Sequence, residues 1–255
     1  MDTLACVKRV ADTGAEIILT DDRQDVDASM VGYTMGPHEE CAVEEAVRTV
    51  EEEGGTSTVL SLGPEGTDDI IYEAIGRGAD EGVYLETDGD EEWGPKATAD
   101  AVANAIGEVS EGELDFDVLF FGNESGDNAN YQVGIRVAEA LDLPVVTGIK
   151  EFDVEGDTVV AKQEVPGGSK VFEVETPAVV TVKEGLNTPR YPSMRSQMRA
   201  KQQELERIEP EKPGEGLQMV ELEVPESDDS EAEILGEGPE AVDEAVEVMQ
   251  ELEVL

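Results

Sequence analysis

Residues 116–142 read FDVLFFGNESGDNANYQVGIRVAEALD. Apart from Asp117 the first seven are apolar on both alternating faces, so a strand here must be covered on both sides. A parallel sheet with crossover helices provides that cover, whereas a half-solvated antiparallel sheet shows a period-2 alternation. From Tyr131 to Asp142 the apolar residues recur at helical spacing, and a polar, glycine-bearing loop separates the two patterns. The stretch therefore reads as a buried strand, a loop and a return helix, the repeating unit of an α/β fold.

The same grammar extends outward. Residues 3–10 read as a first strand, and 16–20 with 26–30 as a small hairpin or short added strands. Residues 39–53 form a helix with Ala42, Val43, Ala46, Val47 and Val50 on one face. Residues 57–63 are a buried strand, and 67–78 a helix with Thr67 as its cap and Gly78 as its stop. A strand at 81–86, an alanine-rich helix at 96–109 and a strand at 144–149 complete the alternation. Beyond 150 the pattern changes to period 2, with turns at 155–157 and 167–168, so an antiparallel set is expected there. Residues 209–229 read as an extended connector and 238–255 as an amphipathic helix.

Composition sets limits on function. The chain carries 62 acidic against 17 basic residues, a formal net charge of -45 spread along its length. Such pervasive acidity reads as adaptation to molar salt, where the screening length falls to ~3 Å and hydrated carboxylates maintain solubility. Nucleic acid is excluded as a partner. Recurrent apolar runs through residues 1–185 exclude wholesale disorder. Cys6 and Cys41 form no C-x-x-C pair, so they read as structural thiols of a reducing cytoplasm, without disulfide or metal site. Neither a secretory leader pattern nor an apolar run of about 20 residues is present, so a cytoplasmic chain without membrane insertion is expected.

Open parallel sheets bind ligands beyond the carboxyl ends of their strands. Four such ends stand out: Val7-Lys8, residues 35–38, residues 62–64 and the 122–134 loop. That loop carries three glycines together with Asn123, Ser125, Asn128, Asn130 and Gln132, but no Lys or Arg and no Walker spacing. Its chemistry suits a monophosphate held by amides and a helix start better than a triphosphate; the competing reading is an ordinary polar loop. His38, the single histidine, is either a helix-start residue or a ligand-facing one. No catalytic constellation surrounds it, and Ser125 and Ser193 lack a nucleophile-elbow context. The chain is not expected to be an enzyme by itself.

Residues 183–201, KEGLNTPRYPSMRSQMRAK, contain no acid between Glu184 and Glu204. Pro189 and Pro192 favour an extended lead-in. From Ser193 onward Met194 and Met198, and likewise Arg195 and Arg199, are i,i+4 neighbours. The helix either packs its methionines inward or presents them for docking, rimmed by arginines.

Together VKRV (7–10), GPHEECAVEEAVR (36–48), SLGPEGTDDIIYEAIGRGAD (61–80), GNESGDNANYQVG (122–134) and VKEGLNTPRYPSMRSQMRAK (182–201) resemble the β subunit of electron transfer flavoprotein over nearly the whole chain. The resemblance implies a Rossmann-like, adenine-nucleotide α-hydrolase-like sheet with helices on both faces, an added antiparallel region and a C-terminal arm. It implies a nucleotide-binding domain at 1–186 that includes the 151–183 hairpins, a partner-recognition segment at 187–208, and a 209–255 arm on an α subunit. The family shares a redox FAD with that subunit and holds AMP in the β chain, or a second FAD in electron-bifurcating members. By position, the nucleotide contacts carry over to Cys6, Gly36, Pro37, His38, Glu39, Leu62, Gly122, Asn123, Ser125, Asp127, Asn130, Gln132 and Val133. Glu164 matches a glutamate near the partner's flavin. Arg190, Tyr191, Met194, Arg195, Met198 and Arg199 fall in the docking segment, with Met194 at its apolar anchor. AMP-type members usually carry Thr at the position of Val133 and an aromatic at that of His38, so this chain departs from both. The implied function is to pass electrons from acyl-CoA-type dehydrogenases through FAD to a membrane quinone oxidoreductase. Other readings of the same sheet are a universal-stress-like nucleotide-binding regulator, and a small-molecule hydrolase or ligase.

Overall fold

The computed structural model describes all residues except 13, 15–16, 28, 30, 90–92, 111–113, 212–213, 215–218, 226–233, 237, 253 and 255. Parts of the expected 16–20/26–30 hairpin, the 209–229 connector and the last helix lie outside the described residues. The chain divides into two units, Met1–Glu221 and Leu222–Leu255.

The first unit is built on a nine-stranded sheet. Its strands are β1 (Thr3–Val7), β4 (Ser57–Gly63), β5 (Glu81–Glu86), β6 (Val118–Gly122), β7 (Val145–Glu155), β8 (Thr158–Val165), β9 (Gly168–Glu175), β10 (Ala178–Val182) and β11 (Glu206–Ile208). They lie in the order β11-β5-β4-β1-β6-β10-β7-β8-β9. Pairing is parallel from β11 through to β7 and antiparallel for β7-β8-β9. The expected α/β class and the antiparallel set are both present. β10 differs from expectation: it closes the period-2 stretch in sequence but is a central parallel strand between β6 and β7, wholly buried. The unexpected β11 extends the far edge beside β5.

Residues 3–10 do not form one strand. β1 ends at Val7, and Arg9–Ala11 (β2) turns away to pair with Tyr33–Met35 (β3). Among the described residues of 16–20 and 26–30, a Leu19–Val26 bridge forms.

Side-chain alternation sorts the core into two layers. On one face Ala5, Val7, Val59, Phe120 and Val180 meet α1 (Pro37–Glu53) and α2 (Asp68–Arg77). On the other Leu4, Leu60, Leu85, Leu119 and Val179 meet α3 (Pro95–Val109) and α4 (Val133–Ala140). Gly134 lets α4 sit on the sheet, since a Cβ there would lie 3.0 Å from Phe121 and Thr181. Thr67 does not cap α2; its backbone is already helical, with φ -69° and ψ -25°, and its side chain makes no capping bond. Gly78, at φ 130°, ends α2 as expected.

Residues 187–192 run extended and are clamped to α1. Asn187 donates to the Cys41 carbonyl (2.9 Å) and to Glu45 (2.7 Å). The Arg190 guanidinium bonds Glu44 (2.9 and 3.0 Å) and Glu51 (2.7 and 2.9 Å), while Arg77 donates to the Arg190 carbonyl. Helix α5 (Met194–Ala200) then packs on α2 at Gly76, where a Cβ would lie 3.4 Å from Pro192. Ser193 caps α5 by accepting from the Ser196 N–H. In the second unit, α6 (Val242–Glu251) has Val242, Val246 and Met249 exposed along one side.

Glu44 is buried, so removing its partner leaves a desolvated carboxylate unpaired. Arg190→Gln is expected to destabilise the first unit by about 2 kcal/mol, discounted because Arg190 is itself a third exposed. Urea unfolding monitored by circular dichroism measures this.

Candidate functional site

The sheet order reverses about β1: β4 and β5 follow on one side, and β6 opens the other. A cleft of about 310 Å³ lies beyond the carboxyl ends of β1, β4 and β6, at this switch point. Its volume falls at the lower end of small-molecule sites.

Nine of the thirteen nucleotide contacts anticipated from sequence line it: Cys6, Glu39, Leu62, Gly122, Asn123, Ser125, Asn130, Gln132 and Val133. Asp127 stands just behind, held at 2.6 Å by Lys8, which does line the cleft. Gly36, Pro37 and His38 are not part of the lining. Gly36 instead makes room for Glu39, because a Cβ there would collide with the Glu39 carboxylate. His38 acts as a strut. Its Nδ1 accepts the Glu184 N–H at 2.7 Å and its Nε2 lies 3.4 Å from Glu124, tying the start of α1 to two loops.

The 122–133 loop is held from within and below. Thr181 Oγ1 donates to Asn123 Oδ1 and accepts from the Gly148 N–H, each at 2.9 Å. Ala129 and Tyr131 adopt left-handed backbone, φ 44° and 57°, which is strained for residues with a Cβ. Gln132 Oε1 accepts twice from Arg136 (3.0 and 2.8 Å), so α4 begins without a side-chain cap. Its first N–H groups are left for water or a bound anion.

Glu39 is the most unusual group in the cleft. Its residue is 3% exposed, and Oε2 has no hydrogen-bond partner. Gly122 shields it so closely that a Cβ would sit 2.8 Å from its carboxyl carbon. Burial pushes its pKa from 4.5 up to about 7; its own backbone N–H and the Lys8 charge oppose this, and Asp127 and Glu124 add to it. Burial also pushes the Cys6 thiol up to about 12, with the Glu39 charge assisting. A protonated thiol is no nucleophile. For Asp127, burial acts upward, but hydrogen bonds from Lys8 and Ser125 and the Lys8 charge outweigh it and hold the carboxyl below its ordinary value.

Sequence reasoning missed Arg9, Thr67, Trp93 and Thr98 as lining residues. Arg9 stacks its guanidinium 3.5 Å from the Tyr33 ring centroid. Trp93 and Thr98 follow β5, whose carboxyl end the topology rule would have flagged. Among the described residues no group of three or more His, Cys, Asp or Glu is arranged to hold a metal. No helix among them is long and apolar enough to cross a membrane.

The remaining anticipated residues are elsewhere. Glu164 is exposed near the β8–β9 turn, paired with Ser169 in the ladder. Arg190 is engaged in the clamp on α1. Tyr191, Met194 and Met198 are 93%, 79% and 66% exposed, so the methionines do not pack inward. Arg195 and Arg199 flank them, also exposed.

The sheet order and the cleft at its switch point define an α/β protein of the doubly wound class. Comparison narrows the class. The sequence profile of the Electron transfer flavoprotein domain matches residues 26–213. The chain is 35% identical over 199 residues to the Electron transfer flavoprotein subunit beta of Thermoanaerobacterium thermosaccharolyticum, covering 76% of this chain and 73% of that one. It is 35% identical over 206 residues to the mouse (Mus musculus) subunit beta, covering 80% and 79%, and 31% identical over 210 residues to that of Bacillus subtilis, covering 82% and 79%. The chain belongs to the electron transfer flavoprotein β-subunit family.

Glu39 has a folded pKa above its unfolded value, so its stabilising contribution is full below pH 4.5 and is lost as pH rises through about 7. This amounts to on the order of 3 kcal/mol. Glu39→Gln should remove that slope. Thermal melts of wild type and variant across this pH range give the comparison; parallel curves would refute the assignment.

Proposed function

We propose that this chain is the nucleotide-holding and partner-docking half of an αβ electron-transfer flavoprotein. Electrons from acyl-CoA-type dehydrogenases would reach FAD shared with the α subunit and leave to a membrane quinone oxidoreductase. The flavin supplies the redox chemistry when bound. This chain's residues 1–186 would complete its site and hold a structural nucleotide, with Glu164 facing the partner's flavin. Residues 187–208 would dock dehydrogenases, and 209–255 would reach over the α subunit.

The observation that carries this reading is the switch-point cleft. It combines an uncapped helix start, the Lys8 and Arg9 cations, and a buried Glu39 oxygen without a partner. This set fits AMP: N–H groups and cations for one phosphate, and a carboxyl for a donor of the nucleoside. The modest volume supports AMP over a dinucleotide. A second FAD, as in bifurcating members, is favoured by one feature, Val133 at the position where AMP-type members usually carry Thr. The acid excess fits a salt-rich cytoplasm.

Denaturing the purified αβ complex and quantifying the released nucleotides tests the reading. One FAD and one AMP per complex is expected. Two FAD and no AMP would assign the bifurcating form, and no adenine nucleotide in the β cleft would sink the proposal.

Docking rests on the exposed Met194, because in molar salt the flanking charges act only at contact range. Met194→Ala should slow reduction by dehydrogenases roughly 10-fold while FAD content stays unchanged, the cost of about 1.4 kcal/mol of apolar contact. Stopped-flow reduction of the complex reads both.

A further inference from the structure

Two further buried polar atoms on residues that line the cleft have no partner among the described residues: Thr67 Oγ1 and Trp93 Nε1. Thr67 is 0% exposed, and its hydroxyl is pressed against Gly63, where a Cβ would sit 2.5 Å away. It stands at the start of α2 yet caps nothing, since its backbone is already helical. Trp93 leads into α3, and Thr98 bonds its carbonyl rather than its indole. Buried donors in folded proteins are nearly always satisfied, and two left open in one cleft mark places that a ligand fills.

Their surroundings indicate which part of a ligand. The charged lining groups Lys8, Arg9, Glu39 and Glu124 come from the link after β1, from the start of β2, from α1 and from the loop after β6. The wall that carries Thr67 and Trp93 is built by β4, the loop after β5 and α3. Among the described residues it presents Leu62, Pro64, Pro95 and Val102, with Asp88 the one charged residue of its lining. A phosphate suits the first wall. A flat, uncharged heteroaromatic ring suits the second, with an O–H and an N–H available to its ring-nitrogen acceptors.

We propose that Thr67 and Trp93 recognise the base of an adenylate group, each donating a hydrogen bond to an acceptor on the ring. The proposal rests on the nucleotide-site reading above and adds two residues to it. It applies to AMP and to the adenylate half of FAD alike.

The test uses the αβ complex with this full chain as wild type, Thr67→Val and Trp93→Phe; the first keeps shape and removes the O–H, and the second keeps an aromatic ring and removes the N–H. After removal of the bound nucleotide, AMP and, in a parallel arm, FAD are titrated by calorimetry. Each variant is expected to weaken adenylate binding about 10-fold, the scale of one lost hydrogen bond in a buried site. The nucleotide-free Thr67→Val complex should melt at or above the wild-type temperature, because an unpartnered buried hydroxyl has been removed. Trp93 is the chain's only tryptophan, so the AMP-dependent change in indole emission should disappear in Trp93→Phe. Wild-type affinity in both variants would overturn this inference and leave the nucleotide site standing. A wild type that binds neither AMP nor FAD in the cleft would overturn both. Affinity lost together with stability of the nucleotide-free form would assign a packing role instead, and would also overturn it.

Discussion

Everything in the first unit depends on the burial of its central strands from both sides. β1, β4, β6 and β10 carry branched and aromatic side chains on each face, and no single layer of helices could cover them. Two helices per face are required, and right-handed crossovers place them. Once β4 and β5 fill one side of β1, β6 has to start the other. The helices that leave β1 and β6 then diverge to opposite faces, and the space between them is the cleft. The site is a consequence of how the sheet is covered.

Charge is handled by location. Most of the acid excess is solvated, but α1 carries three buried glutamates, and each meets a different fate. Glu44 is matched by Arg190, and Glu45 by Asn187, with Arg48 at 3.7 Å. Glu39 Oε2 has no such partner among the described residues. Two of them fix a structural segment to the helix, and the third faces the cleft. Because buried ion pairs are costly to break and contribute little net stability when formed, the Arg190 clamp is better understood as fixing position than as adding stability. The position it fixes is that of Tyr191 and the methionines of α5, exposed at the edge of a rigid frame.

Much of this was legible in sequence. The strands at 57–63 and 81–86 fall on the expected residues, because their apolar runs are bounded by glycine and charge. The long helices follow their periodicity. The 122–133 loop reveals itself by its glycines and amides between a buried strand and a helix. Other features had no local signature. β10 shares the period-2 pattern of its hairpin neighbours, so nothing in its own residues says that it returns to the middle of the sheet. β11 is only three residues long, and its pairing depends on where α5 leaves the chain. Thr67 reads as a helix cap, and only the tertiary structure shows its hydroxyl buried and unused.

The sequence by itself determined the class of fold, the loop that leads the cleft and the extended, proline-bearing lead-in to α5. These follow from the periodicity of burial and from local backbone chemistry. Only the tertiary structure decided which residues share the cleft. Glu39, Thr67 and Trp93 lie on three separate connections, and what brings them together is strand order, a nonlocal property that no window of sequence contains. It likewise assigned Arg190 to the interior clamp and left Met194 and Met198 outside, because a guanidinium finds its carboxylates only after α1 and the extended segment have packed.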